Sequence, residues 1–153
     1  MAAPLYDCAV RTSVVAAGGA MIQLVPPTGA VATARMTRLR LISVSNTTAT
    51  GFGVGYGLAS VAAVTPATAG VIVKRWPVTA PNPVATVFST FATTPTAPAG
   101  YTARLWVPPN STVIWVFPEG EELLVPPSAS PLPFCVFSTG TGQIADITLS
   151  WTE

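Results

Sequence analysis

Reactive side chains are few in this 153-residue chain, and their spacing limits the chemistry open to it. There is no histidine, which removes the commonest general base and the commonest transition-metal ligand. Neither a Ser-His-Asp nor a Cys-His arrangement can be built. A Ser-Lys dyad would have to use Lys74, the single lysine, which sits beside Arg75 with no serine at a motif spacing. The carboxylates are Asp7, Glu119, Glu121, Glu122, Asp146 and Glu153, and a glycosidase pair would be drawn from these. Three of them, Glu119, Glu121 and Glu122, fall in a Gly/Pro turn, where solvated turn charges or partners for arginines on an adjacent chain are the simpler role. The Asp/Asn ligand spacing of a calcium loop is missing from that turn. Cys8 and Cys135 lie far apart and outside any CxxC or Cys/His spacing. That suits free thiols of an intracellular assembly, with a single disulfide joining the two ends as the alternative. No catalytic residue, cofactor or metal is expected, and the chain reads as a non-enzyme.

Two further motifs carry chemistry elsewhere. Gly51-Phe52-Gly53-Val54-Gly55-Tyr56-Gly57 is glycine-rich, but no Gly-Lys-Ser/Thr follows and no helical pattern begins after it, so it is not a phosphate loop. As a strand it places Phe52, Val54 and Tyr56 on one face and bare glycine on the other, where a backbone or a flat ring can approach closely. Asn46-Thr47-Thr48 and Asn110-Ser111-Thr112 fit the glycosylation sequon, which chance explains in so Ser/Thr-rich a chain.

The elements that would position these groups are strands. Val113 to Phe117 is apolar at every position and mostly β-branched or aromatic, which suits a strand covered on both faces. Pro118-Glu119-Gly120-Glu121 reads as a turn, and a strand from Glu122 to Val125 is expected to return beside the first. From Ile144 to Trp151 the sequence alternates, with Ala145, Ile147, Leu149 and Trp151 on one side. Strands are also expected at Thr12 to Val15, Ala20 to Val25, Met36 to Ser45, Val71 to Lys74 and Val84 to Phe88. In Met36 to Ser45 the apolar phase switches from Leu39 and Leu41 to Ile42 and Val44, the mark of a bulge. Val25-Pro26-Pro27, Val107-Pro108-Pro109 and Val125-Pro126-Pro127 each end a strand, because a proline pair removes two N–H donors. No apolar pattern holds a period of 3.6. The expectation is an all-β, antiparallel, jelly-roll-like β-sandwich of eight to ten strands, one domain over residues 1–153.

Composition says more about the surface. Apolar residues make up 50% and charged residues 8%, with 16 prolines, against about 25% charged in ordinary domains. From Leu41 to Val73, and again from Trp76 to Ala103, there is no charged side chain. Leu41 to Val64 is long enough for a membrane span but contains seven Ser, Thr or Asn residues and four glycines, so it would insert poorly. Disorder goes with low hydrophobicity and high net charge, and here the net charge is +1. A nucleic-acid partner would call for a cluster of Lys and Arg. The first residues, Met1 to Cys8, carry no basic group ahead of an apolar run and read as no export signal. What remains is a β domain whose surface packs against other protein chains.

In its size, lack of catalytic groups, Ala/Thr/Val/Pro-rich strands and Trp115-Val116-Phe117-Pro118-Glu119-Gly120 turn followed by Leu123-Leu124-Val125-Pro126-Pro127-Ser128, the sequence resembles small all-β virion proteins of tailed bacteriophages, the capsid decoration or cement type. The resemblance implies a homotrimer located in the virion that bridges capsomers of the major capsid protein, or binds other virion proteins, and stabilises the head without nucleic acid or membrane. A tail or fibre subunit, or a carbohydrate-binding β-sandwich stacking sugars on Trp76, Tyr101 or Trp106, are the alternatives. The candidate interface residues are Arg38, Arg40, Phe52, Tyr56, Trp76, Phe88, Phe91 and Tyr101, with Arg35 and Arg104 as further rim cations. The segment from Ala59 to Gly100 is expected to be ordered by packing on its own domain or on a neighbour, with Trp76, Phe88, Phe91 and Tyr101 as anchors.

Overall fold

A computed structural model describes residues 3–29, 35–61, 66–77, 79–91 and 93–153. The reading of the N-terminus as lacking an export signal, and part of the expectation for Ala59 to Gly100, fall on residues 1, 2, 62–65, 78 and 92, outside the described residues. In chain order the strands are β1 (Leu5–Arg11), β2 (Ala20–Val25), β3 (Thr37–Asn46), β4 (Phe52–Leu58), β5 (Pro66–Ala69), β6 (Ile72–Trp76), β7 (Thr86–Phe91), β8 (Ala103–Val107), β9 (Ser111–Val116), β10 (Leu123–Val125), β11 (Phe134–Ser138) and β12 (Ala145–Thr152). Among the described residues there is no helix.

These strands form two six-stranded antiparallel sheets packed face to face. The first runs β6-β1-β12-β3, with β9 and β10 both on the far side of β3; the second runs β5-β7-β2-β11-β4-β8. Within them, β1-β12-β3-β9 and β2-β11-β4-β8 are the two interlocked four-stranded sets of a jelly roll. The β5–β7 segment is inserted between β4 and β8 and extends each sheet by its edge, β6 on the first and β7 with β5 on the second.

All three proline pairs stand immediately after strand ends, at Val25, Val107 and Val125. Each stops its strand by withholding the donors a longer ladder needs. The phase switch in β3 is a bulge: Ser150 of β12 pairs with Leu41 and Trp151 with Leu39, leaving Arg40 as the extra residue. Leu39, Ile42 and Val44 therefore all face the core, although they do not share one period-two phase.

Besides the number of strands, twelve among the described residues rather than eight to ten, two expectations need correction. The segment after the Pro118 turn does not return beside β9. Both β9 and β10 pair with β3, at Leu41–Asn46 and Thr37–Leu39 respectively, so they form one interrupted strand along a single edge. The turn bulges out of line at Arg40, whose carbonyl accepts from Phe117 N at 2.8 Å. The second correction lies at the N-terminus. Thr12 to Val15 is loop, and the strand there is Leu5–Arg11, with Tyr6 and Cys8 buried and Ala9 and Arg11 exposed.

The core is shared by both sheets. Trp151 and Tyr6 lie side by side at 5.9 Å between ring centroids, and Tyr56 of the second sheet meets Trp115 and Phe117 from the first edge-on at 5.2 and 5.9 Å. Near the chain's end Glu153 accepts hydrogen bonds from Val84 N (2.8 Å), Ala85 N (2.9 Å) and Trp151 Nε1 (3.2 Å), tying β12 to the start of β7 across the sandwich.

Candidate protein-docking face

The outer faces of the two sheets differ. On the second sheet, β4 turns its glycines outward, and the chain's own side chains lie on them. A Cβ placed on Gly51 would stand 2.7 Å from the Trp106 ring, and one on Gly55 would stand 2.7 Å from the Tyr101 ring. Thr139 sits over Gly53 in the same way. The segment before β8 folds back over this face, held by Ser60 N to Thr96 O (3.0 Å) and Thr102 N to Tyr56 O (2.8 Å). Beneath it, Ala20, Ala59, Cys135 and Phe137 make a second buried cluster on which Phe91, Ala97 and Tyr101 pack. Arg104 then lies over the Tyr101 ring at 5.4 Å. Glycine was the residue type that let these rings approach.

The first sheet has no such cover among the described residues. Strand register places Val116, Leu41, Ser150, Asp7 and Val73 in one row across its outer face. Leu124, Arg38, Thr152, Leu5 and Trp76 form the next row, and Ile114, Ser43, Thr148 and Ala9 a third. The centre is thus Ser and Thr, and the flanks are apolar. Val116 and Trp76 are each 66% exposed, Val73 58%, Ile114 56% and Leu124 47%. Between the two flanks runs a groove of about 380 Å³, floored by Leu5, Leu41 and Ser150 and walled by Trp76 on one side and Val116, Phe117 and Pro118 on the other. Arg75 is held at this rim by Asp7 at 3.5 Å, and Arg11 faces Asp146 at 3.9 Å at the other end of the face.

The residues singled out from sequence are therefore divided. Phe52 and Tyr56 are core residues, 2% and 5% exposed, because β4 points them inward and its glycines outward; they are not available to a partner. Tyr101 and Phe91 anchor the segment covering the second sheet, and Phe88 is half-buried on that same face, level with Gln23. Trp76 is not an anchor of its own domain but an exposed wall of the groove. Arg38 and Arg40 lie at the groove's end, beside the Pro118 turn. Trp76 stands on the first sheet and Trp106 and Tyr101 on the second, so the three rings make no common stacking platform. Sequence reasoning missed Leu5, Leu41, Ile114, Val116 and Leu124. Their signal was the wholly apolar run Val113 to Phe117: β9 is covered on one face alone, and its other face stays in water.

Other chemistry finds no assembly point. A cavity of about 500 Å³ lies between the β1–β2 loop, the end of β7 and residues 94–97, and its lining is Ser, Thr, Ala, Gly, Val, Pro and Phe91 without a charged side chain. Among the described residues no three His, Cys, Asp or Glu side chains converge. Asn46 is buried, its amide donating to Thr50 O and Pro108 O and accepting from Thr48, so this sequon asparagine is already engaged. Cys8 and Cys135 are both buried and free, and no disulfide joins the ends. Burial pushes the Cys8 thiol up to about 11 and that of Cys135 well above its ordinary value. Glu122 is held below the usual carboxylate range by backbone N–H groups, its own and that of Gly120, and by Arg40 and Arg38 nearby.

Compared with protein-family models, curated proteins and solved structures, the chain matches none.

Proposed function

We propose that this chain is a structural virion protein of the capsid decoration or cement kind, a homotrimer that binds the outer capsid lattice and stabilises the head. It docks through the bare face of the first sheet. The observation that carries the reading is the contrast between the two outer faces. One carries the chain's own loop and rings over its glycines, with Trp106 and Leu105 of its edge strand still exposed, while the other leaves Val116, Ile114, Trp76 and Val73 in water with no segment of the described residues over them. Exposed apolar patches rimmed by polar residues mark interaction sites, and here two of them flank a hydroxyl centre. The centre of the face, Ser43, Thr148 and Ser150, is uncharged, and interface centres are depleted in charge. Hydroxyls are also far cheaper to take out of water than carboxylates or ammonium groups.

Each contact is modest, and linking several through an oligomer raises the effective concentration at the next site. The +1 net charge gives no electrostatic drive toward nucleic acid, and the face suits a protein surface rather than a lipid one because its middle is polar.

The test is sedimentation with capsids that lack the protein. The chain is expected to pellet with them, and an Ile114→Asp/Val116→Asp double variant, changed only at exposed positions, is expected to stay behind while keeping its melting temperature. A wild-type chain that remains in the supernatant, or a double variant that pellets equally well, rejects this role for the face.

A further inference from the structure

The charged side chains are few enough to be placed one by one. Arg11 faces Asp146 and Arg75 faces Asp7. Lys74 donates to Ala80 O at 2.7 Å, Arg104 lies over Tyr101, and Arg35 lies beside the Tyr6 hydroxyl. Glu153 accepts three hydrogen bonds, and Glu122 accepts from Gly120 N at 2.9 Å. Among the described residues, the charged side chains left with no ion pair, no hydrogen bond and no ring contact are Arg38 and Arg40 on β3 and Glu119 and Glu121 on the turn after β9.

Three of these, Arg38, Arg40 and Glu119, line with Glu122 a depression of about 340 Å³ that shares Ala3, Arg40 and Thr152 with the apolar groove, and Glu121 stands between Gly120 and Glu122 on the same turn. The turn is fixed in shape, with Glu121 N bonded to Pro118 O at 3.0 Å and Gly120 at φ +90°. One patch therefore presents two unpaired cations, two unpaired carboxylates and an apolar trough.

A purely acidic partner would satisfy the arginines and leave Glu119 and Glu121 facing like charge. A patch that carries both signs can offer its arginines to one copy and its carboxylates to the next, as the head-to-tail contacts of a closed ring require. The area available sets the scale of such a contact. Five strand positions at about 4.8 Å spacing, and eight residues of β12 at about 3.3 Å each, make the face roughly 20 by 26 Å. That is ~520 Å², about two-thirds of the ~800 Å² one partner gives to a standard interface, so a contact here is a small one to which the protruding turn adds.

We propose that this end of the face is a contact between copies of this chain, in which the Glu119–Glu121 turn of one copy pairs with Arg38 and Arg40 of the next across the groove between Trp76 and Val116. The inference rests on the reading of this face as a protein-docking surface and names its first partner as the chain itself. Pairs formed there are partly desolvated by the apolar trough, so they set who associates with whom more strongly than exposed pairs do.

Sedimentation equilibrium of the full chain, without capsids, tests it. Wild type is expected to be oligomeric. Arg38→Glu/Arg40→Glu and Glu119→Arg/Glu121→Arg are each expected to weaken self-association by ~10-fold or more, while an equimolar mixture of the two re-associates because opposite charges then face each other between chains. Arg11→Glu/Arg104→Glu, which carries the same net charge as the first variant, is expected not to pair with the second in this way. Val116→Asp probes the apolar wall independently of the arginines and is expected to give monomer with an unchanged melting temperature.

A monomeric wild type overturns the proposal. So does an oligomer indifferent to both charge reversals, or a mixture that stays monomeric. A monomer that still pellets with capsids overturns this contact and leaves the capsid role standing, whereas an oligomer that obeys the charge rules but ignores capsids upholds the contact alone.

Discussion

Gly55→Ala tests whether the second sheet is sealed by its own rings, on which the contrast between the two faces depends. The added Cβ would lie 2.7 Å from Tyr101 Cγ, 2.8 Å from Cδ1 and 3.1 Å from Thr139 Cγ2. Carbon atoms pack best at about 3.5–4.0 Å, so the ring or the strand must move. Overpacking of this kind costs ~1–3 kcal/mol, and the gain from removing a flexible glycine within a strand offsets ~0.5–1 kcal/mol of it. A net loss of ~0.5–2 kcal/mol corresponds, at about 2–4 °C per kcal/mol for a chain of this size, to a melting temperature lower by ~1–8 °C. Calorimetry on Gly55→Ala, Tyr101→Ala and the double variant supplies the cycle. If ring and methyl collide, Tyr101→Ala costs ~1 kcal/mol less in the alanine background than in wild type. Gly140→Ala is the control: nothing lies within 4 Å of its Cβ, and it should be neutral or slightly stabilising. A Gly55→Ala variant as stable as wild type, with no coupling to Tyr101, would mean that the ring does not rest on the glycine strand. The second sheet would then be as bare as the first, and the argument from contrast would fail.

Two more outcomes follow from buried groups. Both cysteine thiols hold their protons above the ordinary value of 9.0, Cys8 to about 11, because burial disfavours the thiolate. Above pH 9 the unfolded chain has lost protons that the folded chain keeps, so stability is full below that pH and falls as pH rises through 11, by up to ~1.4 kcal/mol per pH unit per thiol. Denaturation midpoints measured from pH 7 to 11 should decline only above 9, and less steeply in Cys8→Ala; a flat profile would count against the burial of both thiols. Gln23 is fully buried with neither amide atom hydrogen-bonded among the described residues. Gln23→Met, similar in volume and free of that unmet polar demand, should raise stability by ~1 kcal/mol, whereas destabilisation would indicate a partner for the amide.

What was legible from sequence was local. The proline pairs, the alternation of β12, the inward Phe52-Val54-Tyr56 face and the bulge in β3 all depend on residues adjacent in the chain. What was not legible depends on pairing. β1 has the same alternation as β12, but Asp7 interrupts its outer face, and only Arg75 of β6, brought alongside by the fold, makes a charge acceptable there. The Pro118 turn looks like a hairpin turn because its chemistry is that of one. It serves instead as an excursion between two halves of one edge strand, which β3 decides by offering pairing on both sides of Arg40. The site shows the same limit. Val113 to Phe117 announces apolar residues without saying which face stays open, and the covering of the second sheet comes from residues more than thirty positions away from the glycines they cover.

The bare face also has to be weighed against the sheet edges, since an unpaired edge is the other usual route to association. On one side of the first sheet that edge is broken between β9 and β10 by a protruding turn carrying Glu119 and Glu121. On the other it is β6, five residues long, bearing Lys74 and Arg75 and followed by Pro77. Interruption, shortness, charge and proline all oppose the addition of another strand. The flat face beside them carries none of these guards at its centre. In the proposed docking its apolar flanks would supply the free energy as another chain closes over it, and its uncharged hydroxyl strip would cost little to cover. Docking by face rather than by edge would also keep each jelly roll intact, since no strand has to be added to a sheet or unpaired from one.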